Sequence, residues 1–362
     1  MTREPWVDNL RVVLIAGVIV LHTATGYVVD FAGWYYDDEL DASGPWSAVL
    51  TVPGLLGALF WLGPLFLVAG WFSARSLERR GPGGFARSRL LRLGGPLVVF
   101  VLLVQPFTDY LGNIHDERGS FAFYLRGTES GAMWFVAALL VFSVAYAGLR
   151  RLHPAPADRR PRARVVLPLS MLTIAVASWP VWLFSPLTEE APLNVRVAEW
   201  PQGAVLFALG ALAAEVGWVD DPPALHQVRP LGWLALAGSV AFVGVLALGV
   251  ARGQEDFGPP TSWPTMVVAV LDGLIAVTFT VWFVLWFRGR WPRHGSTVAK
   301  AARASYATYF IHPLVITAIM LTFAPVALGA LAKFVLVSAV SVPVCFAVGY
   351  GLTRLPGVSK VL

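Results

Sequence analysis

The chain has 362 residues, of which 57% are hydrophobic and only 14% charged, with a formal net charge of +5. Soluble globular chains carry nearer a quarter charged residues, so an ordinary soluble protein is excluded, and repeated apolar runs of about twenty residues indicate an all-α polytopic membrane protein. The one cysteine, Cys345, lies in an apolar run and permits no intrachain disulfide, and the distribution of the positive charge reports membrane topology rather than a nucleic-acid partner.

Ten spans are predicted, at roughly 10–29, 50–74, 90–107, 132–149, 165–184, 201–219, 230–251, 264–287, 304–323 and 333–353, in one membrane domain that fills residues 1–362. The first stretch, Asn9 to Thr25, carries Arg11 at its start and His22 deep inside. On a helix of about 100° per residue the two side chains share one face, about 16 Å apart along the axis. Ionisable groups in a spanning helix are costly and are functional candidates by default. Read blandly, Arg11 snorkels to lipid headgroups and His22 bonds a neighbouring helix; the shared face favours a joint role. Because this run contains His22 and leads straight into further spans, it is expected to be retained rather than cleaved.

Charge alternates between the connections. After the second span Arg75, Arg79, Arg80, Arg87 and Arg89 stand against Glu78 alone, and RRLHPAPADRRPRAR after the fourth carries six arginines and one aspartate. Arg288, Arg290, Arg293, Lys300 and Arg303 follow the eighth span, whereas the first loop holds Asp30, Asp37, Asp38, Glu39 and Asp41 without a base. Lysine and arginine mark the cytoplasmic side, so both termini are expected in the cytoplasm of an inner (plasma) membrane. The connection with Asp220, Asp221 and Arg229 fits this pattern poorly.

Arg89 and Arg92 open the third span three residues apart and share a face, where guanidinium forks suit phosphate oxygens as well as they suit lipid headgroups. The small residues of the second span, Gly70 among them, suit close helix packing. Trp34, Tyr35 and Tyr36 suit an interfacial belt or a stacking surface for a sugar. Asp272 is the one acid well inside a span, at the depth of His22, about 12 Å below the outer edge, which makes it a candidate for holding that imidazole. In the ninth span, SYATYFIHP, Tyr309 precedes His312 by three residues, and Pro313 cannot make the usual hydrogen bond to the Tyr309 carbonyl. By the same rise, His312 lies about 12 Å from the cytoplasmic edge, suited either to catalysis or to an interhelical bond. No phosphate-loop pattern, HExxH, zinc-binding cysteine pair or nucleophile elbow occurs, so neither a metal site nor a serine hydrolase is expected.

Taken in order, Arg11 and His22 in DNLRVVLIAGVIVLH, FLVAGWFSARS, RSRLLRLGGP, MWFVAALLVFSVAYA and SYATYFIHP resemble the acyltransferase-3 family of integral membrane acyltransferases over essentially the whole chain. The first-span pattern is most similar to the glucan-modifying, periplasmic glucan succinyltransferase-like branch. The resemblance implies ten membrane helices, a cytosolic acyl-CoA donor as co-substrate, no permanently bound cofactor, and a hydroxyl acceptor, commonly a glycan, at the outer side. It assigns transfer to His22, donor binding to Arg11, Arg89 and Arg92, and a less settled role to Tyr309 and His312. Asp272 rests on the depth comparison alone. General-base catalysis by His22 and a covalent acyl-histidine both satisfy the sequence. A proton-coupled transporter using His22, His312 and Asp272 is the rival reading, though no inverted repeat supports it.

Overall fold

A computed structural model describes residues 4–27, 35–36, 45–114, 121–125, 129–153, 161–185, 195–252 and 261–358. Trp34 and the acidic residues of the first loop lie outside these. Every regular element among the described residues is helical: α1 (Pro5–Thr25), α2 (Pro45–Phe60), α3 (Gly63–Arg89), α4 (Gly95–Val99), α5 (Gln105–Gly112), α6 (Phe121–Tyr124), α7 (Trp134–Leu152), α8 (Ala163–Phe184), α9 (Trp200–Glu215), α10 (Leu225–Ala251), α11 (Trp263–Arg290), α12 (Ser296–Phe323) and α13 (Ala330–Leu352). The fold is an all-α polytopic membrane bundle.

Nine helical runs among the described residues are long and apolar enough to cross a membrane. One of them, Gly63–Gly112, is 50 residues long, about 75 Å at 1.5 Å per residue, more than twice a hydrocarbon core of ~30 Å. It breaks where Gly81 adopts φ 68°, ψ 164°, a conformation glycine tolerates and other residues resist, and Pro82 then lacks an N–H. Two stretches long enough to cross are therefore joined in one run. The predicted span 50–74 is also divided: α2 ends at Phe60 and α3 begins at Gly63, because Pro64 cannot donate to the Phe60 carbonyl.

The runs between α3 and α5 contain two π-turns, Leu90–Gly94 and Phe100–Val104, on either side of α4. Pro96 removes the α-helical donor to the Arg92 carbonyl, and the Tyr306 hydroxyl of α12 donates to that oxygen at 3.3 Å. α3 and α9 cross closely, Gly70 against the Phe207 carbonyl and Gly210 against that of Leu67, where a methyl group on either would collide with backbone.

α1 is the helix that positions the site. Its fully buried side chains Leu10, Leu14 and Ile19 face the bundle, and it packs most extensively on α12. The two helices begin at the same end. Asn9 Nδ2 donates to the carbonyls of Trp291 (2.8 Å) and Arg293 (3.0 Å), and Asp8 Oδ2 lies 3.1 Å from His294 Nε2. These contacts satisfy polar groups at the helix starts and set α1 and α12 parallel.

Candidate active site

Because α1 and α12 start together, equal distances along them are equal depths. His22 is seventeen residues past Pro5 and His312 sixteen past Ser296, about 26 and 24 Å along their axes. Their rings are nearly parallel, 8° apart with centroids separated by 4.9 Å. His22 Nδ1 lies 2.7 Å from His312 Nε2, and His312 Nδ1 lies 2.6 Å from the Tyr309 carbonyl oxygen. That carbonyl is the one Pro313 deprives of its helical donor, so the proline supplies the acceptor for the imidazole.

Tyr309 extends the assembly. Its ring centroid is 5.3 Å from that of His312, and its hydroxyl donates to the Ala132 carbonyl. The Ala132 N–H donates to Tyr35 Oη at 3.4 Å, and Tyr35 donates to Gln105 Oε1 at 2.5 Å. Gln105 Nε2 reaches both carboxylate oxygens of Asp109, at 3.2 and 3.4 Å. Gly131, at φ 44°, leaves room for this contact, since a Cβ there would strike Gln105 Oε1 and Tyr35 Oη. Burial, then the Asp109 charge, push the Tyr35 phenol well above its ordinary value, so it stays a donor. Tyr35 is thus part of a buried hydrogen-bond chain rather than only a belt residue.

A second group of residues lies toward the helix starts. Arg89 Nη2 donates to Ser73 Oγ at 3.2 Å and its guanidinium lies 5.1 Å from the Phe85 ring centroid. Arg92, Arg80 and Arg11 are near enough for their charges to act on Arg89. Arg11 itself stands over the Phe72 ring at 5.7 Å. No carboxylate pairs with Arg89 or Arg92 among the described residues, whereas Arg150 at the ends of α7 and α9 is held bidentately by Glu215, at 2.7 and 2.6 Å, with Tyr146 donating to the same carboxylate at 2.5 Å. Arg75 pairs with Asp220 at 2.8 Å, which accounts for an acidic residue in the connection after α9.

Asp272 does not hold His22. Its carboxylate accepts from Ser178 on α8 at 3.4 Å, and the partner found for the His22 ring is His312. The predicted depths of acid and imidazole match, but Asp272 faces α8, and depth says nothing about which side of a helix a residue occupies. Sequence reasoning also misses Gln105, Ser73 and the Arg196–Glu199 ion pair (2.7 Å), in which Arg196 is the one non-glycine residue with positive φ (45°) among the described residues. Arg196 lies near enough for its charge to act on His22, and Glu199 for its own to act on Asp272. No spacing rule brings them to these sites, since Ser73 lies in α3, Gln105 in α5 and the Arg196–Glu199 pair just before α9.

The described residues form a multi-pass helical bundle with an imidazole pair in its interior and, toward one end, Arg89 and Arg92 without a carboxylate partner among the described residues. The acyltransferase-domain family (acyltransferase-3) matches residues 4–350, and the chain belongs to that family. It is therefore a membrane acyltransferase. No curated protein and no solved structure matches it.

Proposed function

We propose that this protein moves an acyl group, acetyl or succinyl, from cytosolic acyl-CoA to a hydroxyl of an extracytoplasmic glycan, from a position in the inner (plasma) membrane with both termini in the cytoplasm. The observation that carries the reading is the His22–His312 contact of 2.7 Å, deep in a bundle whose arginines Arg89 and Arg92 have no carboxylate partner among the described residues. Arg11, Arg89 and Arg92 hold the donor's phosphates by charge-assisted hydrogen bonds, and the pantetheine arm carries the thioester toward His22.

His22 acts as general base. It takes the proton of the acceptor hydroxyl as that oxygen attacks the thioester carbonyl, and the C–S bond breaks as the new C–O ester forms. The departing thiolate takes the proton from the imidazolium, which leaves CoA as the free thiol and His22 neutral. Tyr309, bonded to the Ala132 carbonyl, braces the helix turn that carries His312.

Purified protein incubated with radiolabelled acetyl-CoA or succinyl-CoA and extracted cell-envelope glycan is expected to place alkali-labile label in the glycan. Absence of donor-dependent label with either thioester, from protein that still binds CoA, overturns this acceptor and donor assignment.

A further inference from the structure

The geometry points to His312 as the positioning residue that selects which nitrogen of His22 does the chemistry: His312 accepts from His22 Nδ1–H and so places the reactive lone pair on His22 Nε2. The inference rests on His22 being the base, and it adds the atom and the device that selects it.

It follows from donor and acceptor rules alone. A backbone carbonyl only accepts, so the 2.6 Å contact to the Tyr309 oxygen requires a proton on His312 Nδ1. In a neutral ring the other nitrogen is then an acceptor, so His312 Nε2 presents a lone pair to His22. The 2.7 Å contact to His22 Nδ1 therefore requires the proton to sit on His22 Nδ1. A neutral His22 with Nδ1–H carries its lone pair on Nε2. When Nε2 takes a proton, Nδ1–H keeps its acceptor, and the imidazolium is formed without losing a bond. This is the service a carboxylate performs for a catalytic histidine in other folds, where a wrong tautomer costs about 10⁴-fold in turnover.

The chain of constraint begins at Pro313. An N–H at position 313 would occupy the Tyr309 carbonyl; its absence leaves that oxygen to His312. Proline, carbonyl, first ring and second ring follow in order, and each step removes one alternative protonation pattern.

Two substitutions separate positioning from mere packing. The amide of glutamine reaches the place of a histidine Nε2, and that of asparagine the place of Nδ1. His312→Gln can therefore still accept from His22, whereas His312→Asn keeps only the bond to Tyr309. With acetyl-CoA as donor, His312→Asn and His312→Ala are expected to lower kcat by about 10²–10⁴-fold with donor KM nearly unchanged, and His312→Gln to stay within about 10-fold of wild type. Equal activity of the Gln and Asn variants, or a loss confined to KM, overturns the proposal. Histidine ¹⁵N spectra of the wild-type protein in detergent, assigned from the conservative His22→Gln and His312→Gln variants, supply a readout that needs no turnover. His22 is expected as the Nδ1–H tautomer, and an Nε2–H form overturns the inference. If His22→Ala keeps full turnover while the Nδ1–H tautomer is observed, it is the general-base reading that fails and not the tautomer assignment.

Discussion

Two regions of this bundle treat their polar groups in opposite ways. Toward the starts of α1 and α12, Arg89 and Arg92 carry charge with no carboxylate partner among the described residues, and Arg80 and Arg11 add to the same field. In the interior, two imidazoles bond one another and a backbone carbonyl. Under the proposed function, Arg89 and Arg92 await an anionic donor, whereas the two rings are fixed by bonds to each other and to the Tyr309 oxygen. Arg150 shows that the first arrangement is a choice rather than a general shortage of acids, since Glu215 satisfies it fully.

The sharpest way to break this contrast is at the interior ring. His22→Ala is expected to reduce acyl transfer by at least about 10³-fold while CoA affinity stays at the wild-type value, because the base is removed and the cation group is not. Single-turnover transfer and equilibrium CoA binding measure the two sides separately. Wild-type turnover in this variant would end the interior's claim to chemistry.

Next in size is the paired arginine. Glu215→Gln leaves Arg150 with a neutral partner at a site where the glutamate side chain is only 6% exposed. Removing one member of a buried pair costs about 3 kcal/mol, read as a lowered midpoint of unfolding in detergent. Arg89→Ala, which breaks no ion pair among the described residues, should lose much less. Equal losses would mean that pairing does not distinguish the two arginines.

The double variant Arg89→Ala, Arg92→Ala tests the cations directly. It should weaken CoA binding about 10- to 100-fold and flatten the dependence of that binding on salt, with kcat at saturating donor changed little. Unchanged affinity would return both residues to the lipid headgroups.

Sequence alone carries the architecture far, because runs of about twenty apolar residues have few other uses. Its errors fall where hydropathy is blind. It starts the ninth span near 304, yet α12 begins at Ser296, since STVAKAAR is helical without being apolar. That shift halves the apparent depth of His312 and separates it from His22, its actual partner. Asp272 errs the other way: its predicted depth matches that of His22, but it lies on a face turned to α8. Rise along a helix can be read from residue numbers, whereas the neighbour across an interface requires the packed bundle. Pro313 gives both lessons at once. The freed Tyr309 carbonyl can be foreseen from Y-x-x-x-P, but not that His312 would take it.

The smallest expected effect lies at the margin of the arginine-rich end. Arg75 and Asp220 bond at 2.8 Å with side chains 32% and 69% exposed. Exposed ion pairs of this kind contribute about 0–1 kcal/mol, because water solvates either partner nearly as well and salt screens the attraction. Arg75 also stacks over Trp71, with its guanidinium 5.1 Å from the ring centroid, a contact that does not need the aspartate. Asp220→Asn should therefore shift the unfolding midpoint in detergent hardly at all at moderate salt and leave CoA affinity unchanged, while Arg75→Ala loses slightly more through the lost stacking. If Asp220→Asn instead tightened CoA binding severalfold, the donor's field would extend to Arg75, and the boundary between paired and unpaired arginines would have to be redrawn to include it.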